Sequence, residues 1–150
     1  MDTSPIIMER SYTASSGTIW KALTSKEEMK KWYFDIASFE ARPGFEFEFT
    51  AVGEDGKTEF VHLCKIIEVI DHKKLSYTWR YKGYEGNSLL TFELFEEGPD
   101  TTRVKLTHSG IETFPVRSDE AFAKKNFVGG WTYFMDKGFP EYLSNQVTTA

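Results

Sequence analysis

The chain has 150 residues, 16% of them aromatic with 13 Phe, and a formal net charge of −5 from 18 basic and 23 acidic residues. That length suits one domain spanning residues 1–150, which buries roughly 70% of its unfolded surface and needs neither a disulfide nor a structural metal. The acidic balance excludes a nucleic-acid face, which requires clustered basic charge, and no apolar run nears the ~20 residues of a membrane span. Cys64 is the one cysteine, so no intrachain disulfide forms. Residues 1–5 lack the basic and apolar regions of a secretory leader, and the expected compartment is the cytoplasm.

Residues 6–13 read as a first strand. Ser15 and Ser16 are candidate helix N-caps, and Ile19, Trp20 and Leu23 then fall at helical spacing. Ser25-Lys26-Glu27-Glu28 has the form of a capping box opening a second short helix to about Trp32. From residue 35 the period drops to two. Residues 35–41 are read as a weak strand, Arg42-Pro43-Gly44 as a turn, and Phe45-Glu46-Phe47-Glu48-Phe49-Thr50 as a strand with one dry and one wet face. Asp55-Gly56 signals a hairpin, residues 58–70 a long strand, and residues 71–74 a turn. Leu75, Tyr77, Trp79 and Tyr81 alternate along the next strand, Leu90, Phe92 and Leu94 along another, and Val104, Leu106 and His108 along the last. Such short strands and turns predict an antiparallel meander.

Past Gly110 the period lengthens again. Ser118 or Asp119 is the expected cap of a helix beginning near Glu120, with Phe127, Trp131 and Phe134 on one face and Gly130 beside them. Gly138 and Pro140 are expected to end or kink that helix near residue 138, with one further turn over residues 141–145 and frayed ends over 146–150. The fold class is therefore α+β: a seven-stranded antiparallel sheet, two short helices between its first two strands, and a long C-terminal helix across one face.

That order resembles the helix-grip fold of the START-like (SRPBCC) superfamily, which includes the birch-pollen allergens. Local segments narrow the resemblance: Ile19-Trp20-Lys21-Ala22-Leu23-Thr24, Lys31-Trp32-Tyr33, Arg42-Pro43-Gly44, Leu75-Ser76-Tyr77-Thr78-Trp79, Lys105-Leu106-Thr107-His108-Ser109-Gly110 and Gly130-Trp131. They are similar to the branch named for homologues of the heat-shock-protein ATPase activator, a branch that also holds proteins sequestering enediyne antibiotics. The resemblance spans about residues 8–145. It implies a curved sheet wrapped around the long helix, and an apolar or amphipathic small molecule as ligand. A chaperone as partner, a cyclase or hydrolase activity, and a homodimer remain open alternatives, because one fold serves many functions.

Alternation and helical phase send Phe47, Phe49, Tyr77, Trp79, Leu90, Phe92, Phe127, Trp131 and Phe134 between sheet and helix, as a filled core or a cavity lining. Trp20 and Trp32 on the short helices read as packing residues; the resemblance offers the alternative that Trp32, with Tyr33 and Phe34, lines the cavity mouth. Cys64 joins the lining as a small apolar group, and the resemblance places glycine at its position. His108 and Tyr77 are the polar groups expected to reach inward, satisfied by a ligand, a backbone carbonyl or water. No catalytic residue, cofactor or metal is assigned. His62 and Cys64 share a strand face but supply two ligands where zinc needs three or four.

Overall fold

The computed structural model describes residues 3–53, 56–117 and 121–148. In chain order the elements are β1 (Ile6–Tyr12), α1 (Ser16–Thr24), α2 (Lys26–Trp32), β2 (Glu46–Val52), β3 (Glu59–Ile70), β4 (Lys74–Tyr81), β5 (Ser88–Gly98), β6 (Thr101–Ser109), α3 (Lys124–Tyr133) and α4 (Phe139–Thr148). A 3-10 turn covers Ile111–Thr113, and a π-helical turn, Phe134–Gly138, joins α3 to α4. The strands form one antiparallel sheet in the order β1-β6-β5-β4-β3-β2, so β1 and β2 are its edges and α1 and α2 connect them.

The sheet has six strands rather than the seven expected. Residues 35–41 pair with no strand. Their large apolar side chains, Ile36 and Phe39, are three apart, and on a strand they would point to opposite faces. As irregular chain both reach the same interior: Ile36 is buried, and Phe39 packs on Phe45 and Phe47. The helix-grip arrangement stands without that strand.

Elsewhere the period-two pattern becomes burial. In β2, Phe47 and Phe49 are buried while Glu46, Glu48 and Thr50 are exposed. Phe60, His62, Cys64 and Ile66 of β3, Tyr77, Trp79 and Tyr81 of β4, and Leu90, Phe92 and Leu94 of β5 continue the same face. Val104, Leu106 and His108 complete it on β6.

Local capping divides between α1 and α2. The Ser15 hydroxyl accepts from the amide of Thr18 at 3.2 Å, so the first cap forms. The box expected at Ser25 does not, because Ser25 makes no side-chain cap bond. Its backbone serves both helices instead, donating to the Lys21 carbonyl and accepting from the Met29 amide. Glu28 is drawn elsewhere: it accepts from the Tyr142 hydroxyl at 2.6 Å and from Lys31 at 3.3 Å, which ties α2 to α4.

The expected caps Ser118 and Asp119, and the expected start at Glu120, lie outside the described residues. The α3 helix begins at Lys124 with Ala123 as a cap that makes no side-chain bond. The interruption expected near residue 138 is a π turn that ends at Gly138, not a helix terminus with a glycine cap. The chain passes through the π turn into α4 and continues helical to Thr148, beyond the single turn expected. Pro140 has no amide proton to give, and the amide of Phe139 bonds Phe134 rather than Met135. The carbonyl of Met135 is left without a helical partner, and the hydroxyl of Tyr12 donates to it at 2.7 Å. An edge strand thus repairs the interruption.

A candidate binding cavity between sheet and helix

The polar groups on the inner face bond to one another. The indole N–H of Trp131 donates to Nδ1 of His108 at 3.0 Å. An indole can only donate, so Nδ1 is unprotonated and the ring proton sits on Nε2. Nε2 lies 2.8 Å from the Ser88 hydroxyl, which in turn donates to the Trp79 carbonyl at 2.8 Å. Both nitrogens are committed, the ring is fully buried, and burial lowers its pKa to about 3. His108 is therefore a neutral anchor that locks β5, β6 and α3 in register.

A second pair, the hydroxyls of Tyr33 and Tyr77, meets at 2.8 Å, and burial pushes both well above the usual tyrosine range. His62 stacks on Phe49 with ring centroids 4.4 Å apart and meets the Phe60 carbonyl through Nδ1 at 3.0 Å. Burial lowers its pKa to about 4. Burial likewise raises the Cys64 thiol, which leaves a small apolar group rather than a thiolate. Among the described residues no three metal-capable side chains gather.

Between this layer and α3 a cavity of about 170 Å³ remains. Its floor is made of buried rings, Trp79 and Tyr81 from β4 and Phe127 and Trp131 from α3. Its rim is more exposed: Phe34 after α2, Phe134 of the π turn, and Ala121, Asn126 and Gly130. Gly130 stands exposed at this rim, and a Cβ there would meet no atom within 4 Å.

The structure therefore brings Trp79, Phe127, Trp131 and Phe134 of the expected lining residues around the cavity. The others form the layer beside or behind it. Phe49 stacks on Phe34 at 4.3 Å, Phe47 packs edge-on against Tyr77, and Phe92 packs edge-on against Trp131. Leu90 and Cys64 are buried in the same face, and His108 holds Trp131 from below. Trp32 donates to the Ala22 carbonyl at 2.9 Å and packs on Phe139, so it joins α1, α2 and α4. Tyr81, Ala121 and Asn126 were not assigned from sequence. Tyr81 was signalled by its alternation with Tyr77 and Trp79, whereas Ala121 and Asn126 carry no pattern that marks a rim.

Comparison with known proteins agrees with this architecture. A family model described as "Activator of Hsp90 ATPase homolog 1-like protein" matches residues 13–144. The chain belongs to this family. Among solved structures, protein MLL2253 of Mesorhizobium loti superposes with a TM-score of 0.74 at 24% identity, over 94% of this chain and 97% of that one. CalU16 of Micromonospora echinospora gives a TM-score of 0.68 at 21% identity, over 97% and 79%. DynU16, from the dynemicin biosynthetic locus, gives 0.72 at 18% identity, over 96% of this chain and 48% of the other. At these identities the likeness is one of fold. No curated protein matches the sequence. Among the described residues of this family member no helix is long and apolar enough to cross a membrane.

Proposed function

We propose that this family member binds an apolar or amphipathic small molecule that places one planar, ring-sized group in the cleft against Trp79, Phe127 and Trp131. The observation that carries the reading is an aromatic-floored cleft of about 170 Å³ between sheet and helix, open at the rim formed by Phe34, Phe134 and Gly130. An engineered apolar cavity of about 150 Å³ takes up benzene, so an aromatic-floored cleft of comparable volume has room for one ring. The volume suits a single ring, and a larger ligand would extend past the rim at Phe34 and Phe134. One structural neighbour, DynU16, is described as a protein of the dynemicin biosynthetic locus, and a small-molecule role agrees with that setting.

The test is calorimetric titration with toluene. For about seven heavy atoms at roughly 0.7 kcal/mol each, a dissociation constant on the order of 0.2 mM is expected. Gly130→Leu should abolish the heat of binding, because its side chain enters open space and occupies the ligand's volume. Toluene left unbound by the wild type at millimolar concentration would refute the proposal.

A second reading draws on the family description, which names an activator of the Hsp90 ATPase. An ATPase assay with Hsp90 of the same organism tests it, and an unchanged rate at saturating protein would dismiss it.

A further inference from the structure

The cavity floor carries a hydrogen-bond donor held ready for a ligand. Among the described residues the Tyr81 hydroxyl has one hydrogen-bond partner, the indole N–H of Trp79, at 2.9 Å. Because an indole N–H only donates, this contact uses a lone pair of the Tyr81 oxygen and leaves the hydroxyl proton unplaced. Tyr81 is 5% exposed, and both residues line the cavity. Around the tyrosine ring stand Phe60, Phe114 and Phe122, whose side chains accept nothing, and His62, which makes no hydrogen bond to the hydroxyl. A buried donor without an acceptor is costly, by about 1–3 kcal/mol. Burial also pushes the hydroxyl well above the usual tyrosine range, so it keeps its proton at any physiological pH.

We propose that the cavity selects a neutral aromatic molecule bearing a hydrogen-bond acceptor, a carbonyl or ether oxygen, and that Tyr81 is the residue that donates to it. This rests on the binding reading above and specifies its ligand class. Trp79 fixes the polarity: by filling the acceptor side of the hydroxyl it orients the remaining proton toward whatever occupies the cavity. A phenol, which presents a donor, gains less here. A carboxylate is disfavoured too, since no cationic side chain is among the described residues that line the cavity and a bare charge is expensive to bury.

The experiment compares toluene with acetophenone, in the wild type and in Tyr81→Phe, by calorimetry and by the infrared carbonyl stretch of bound acetophenone. In the wild type both probes bind, and the stretch lies below its value for acetophenone in hexane. Tyr81→Phe should weaken acetophenone about three- to tenfold, the worth of one hydrogen bond, while toluene stays within about twofold and the stretch rises toward the hexane value. Equal losses for both probes, or an unshifted stretch in the wild type, would overturn the proposal. The wild-type stretch decides it even if the variant does not fold. Failure of both probes to bind the wild type would instead refute the binding reading itself.

Discussion

At the scale of single residues, two histidines are buried neutral for different reasons. His108 is held by Trp131 and Ser88, and His62 by Phe49 and the Phe60 carbonyl. Their folded pKa values, about 3 and about 4, lie below the roughly 6.5 of an unfolded histidine. Their stabilising effect is therefore complete above pH ~6.5. Below it the unfolded chain takes up protons that the folded chain refuses, and stability falls as pH drops toward the folded values. Each histidine contributes a slope of about 1.4 kcal/mol per pH unit in that window. Urea denaturation at pH 7, 6 and 5 should show the decline, and His62→Phe, which keeps the ring stack, should roughly halve it. A pH-independent midpoint for the wild type would contradict the neutral assignment.

At the scale of elements, the interrupted C-terminal helix is the informative case. Pro140 withholds an amide, the π turn takes up the resulting shift, and Tyr12 of β1 supplies the missing donor to Met135. The Arg10–Asp136 ion pair, 2.6 Å long on the same two elements, is about half exposed and adds little. Tyr12→Phe should cost about 1–3 kcal/mol in chemical denaturation, since it leaves a carbonyl unpaired without opening a large void. Replacing Asp136 by Asn should cost under about 1 kcal/mol. If the two costs prove equal, the hydroxyl is not what secures the turn.

At the scale of the whole molecule, the cavity is a local exception in a dense aromatic interior. Filling it with ligand or with protein should act alike on stability. At ten times its dissociation constant, toluene should stabilise the wild type by about 1.4 kcal/mol and raise the melting temperature by about 3–6 °C. Gly130→Leu should melt no lower than the wild type without ligand, because leucine is the better helix former and meets open space. The same variant should show no further rise when toluene is added. A large drop in its melting temperature would mean that the space is not open in solution.

The sequence by itself determined the alternating faces of β2, β4, β5 and β6, the placement of Phe127 and Trp131 on one side of α3, and the family. The faces rest on periods of 2 and 3.6, which local backbone geometry imposes whatever the rest of the chain does, and the family on the resemblance of short local segments. Only the tertiary structure decided how much space those faces leave. The irregular segment before β2 drops Ile36 and Phe39 into the interior where a seventh strand was expected. Phe34 then stacks on Phe49, and Tyr77 meets Phe47 edge-on, in the same interior. Partner choice was equally out of reach of periodicity: Glu28 left its capping box for Tyr142, and His108 found Trp131, across 114 and 23 residues of chain. A pattern states which way a side chain points. Whether it meets another ring or a space depends on distances that exist only after the sheet and helix have packed.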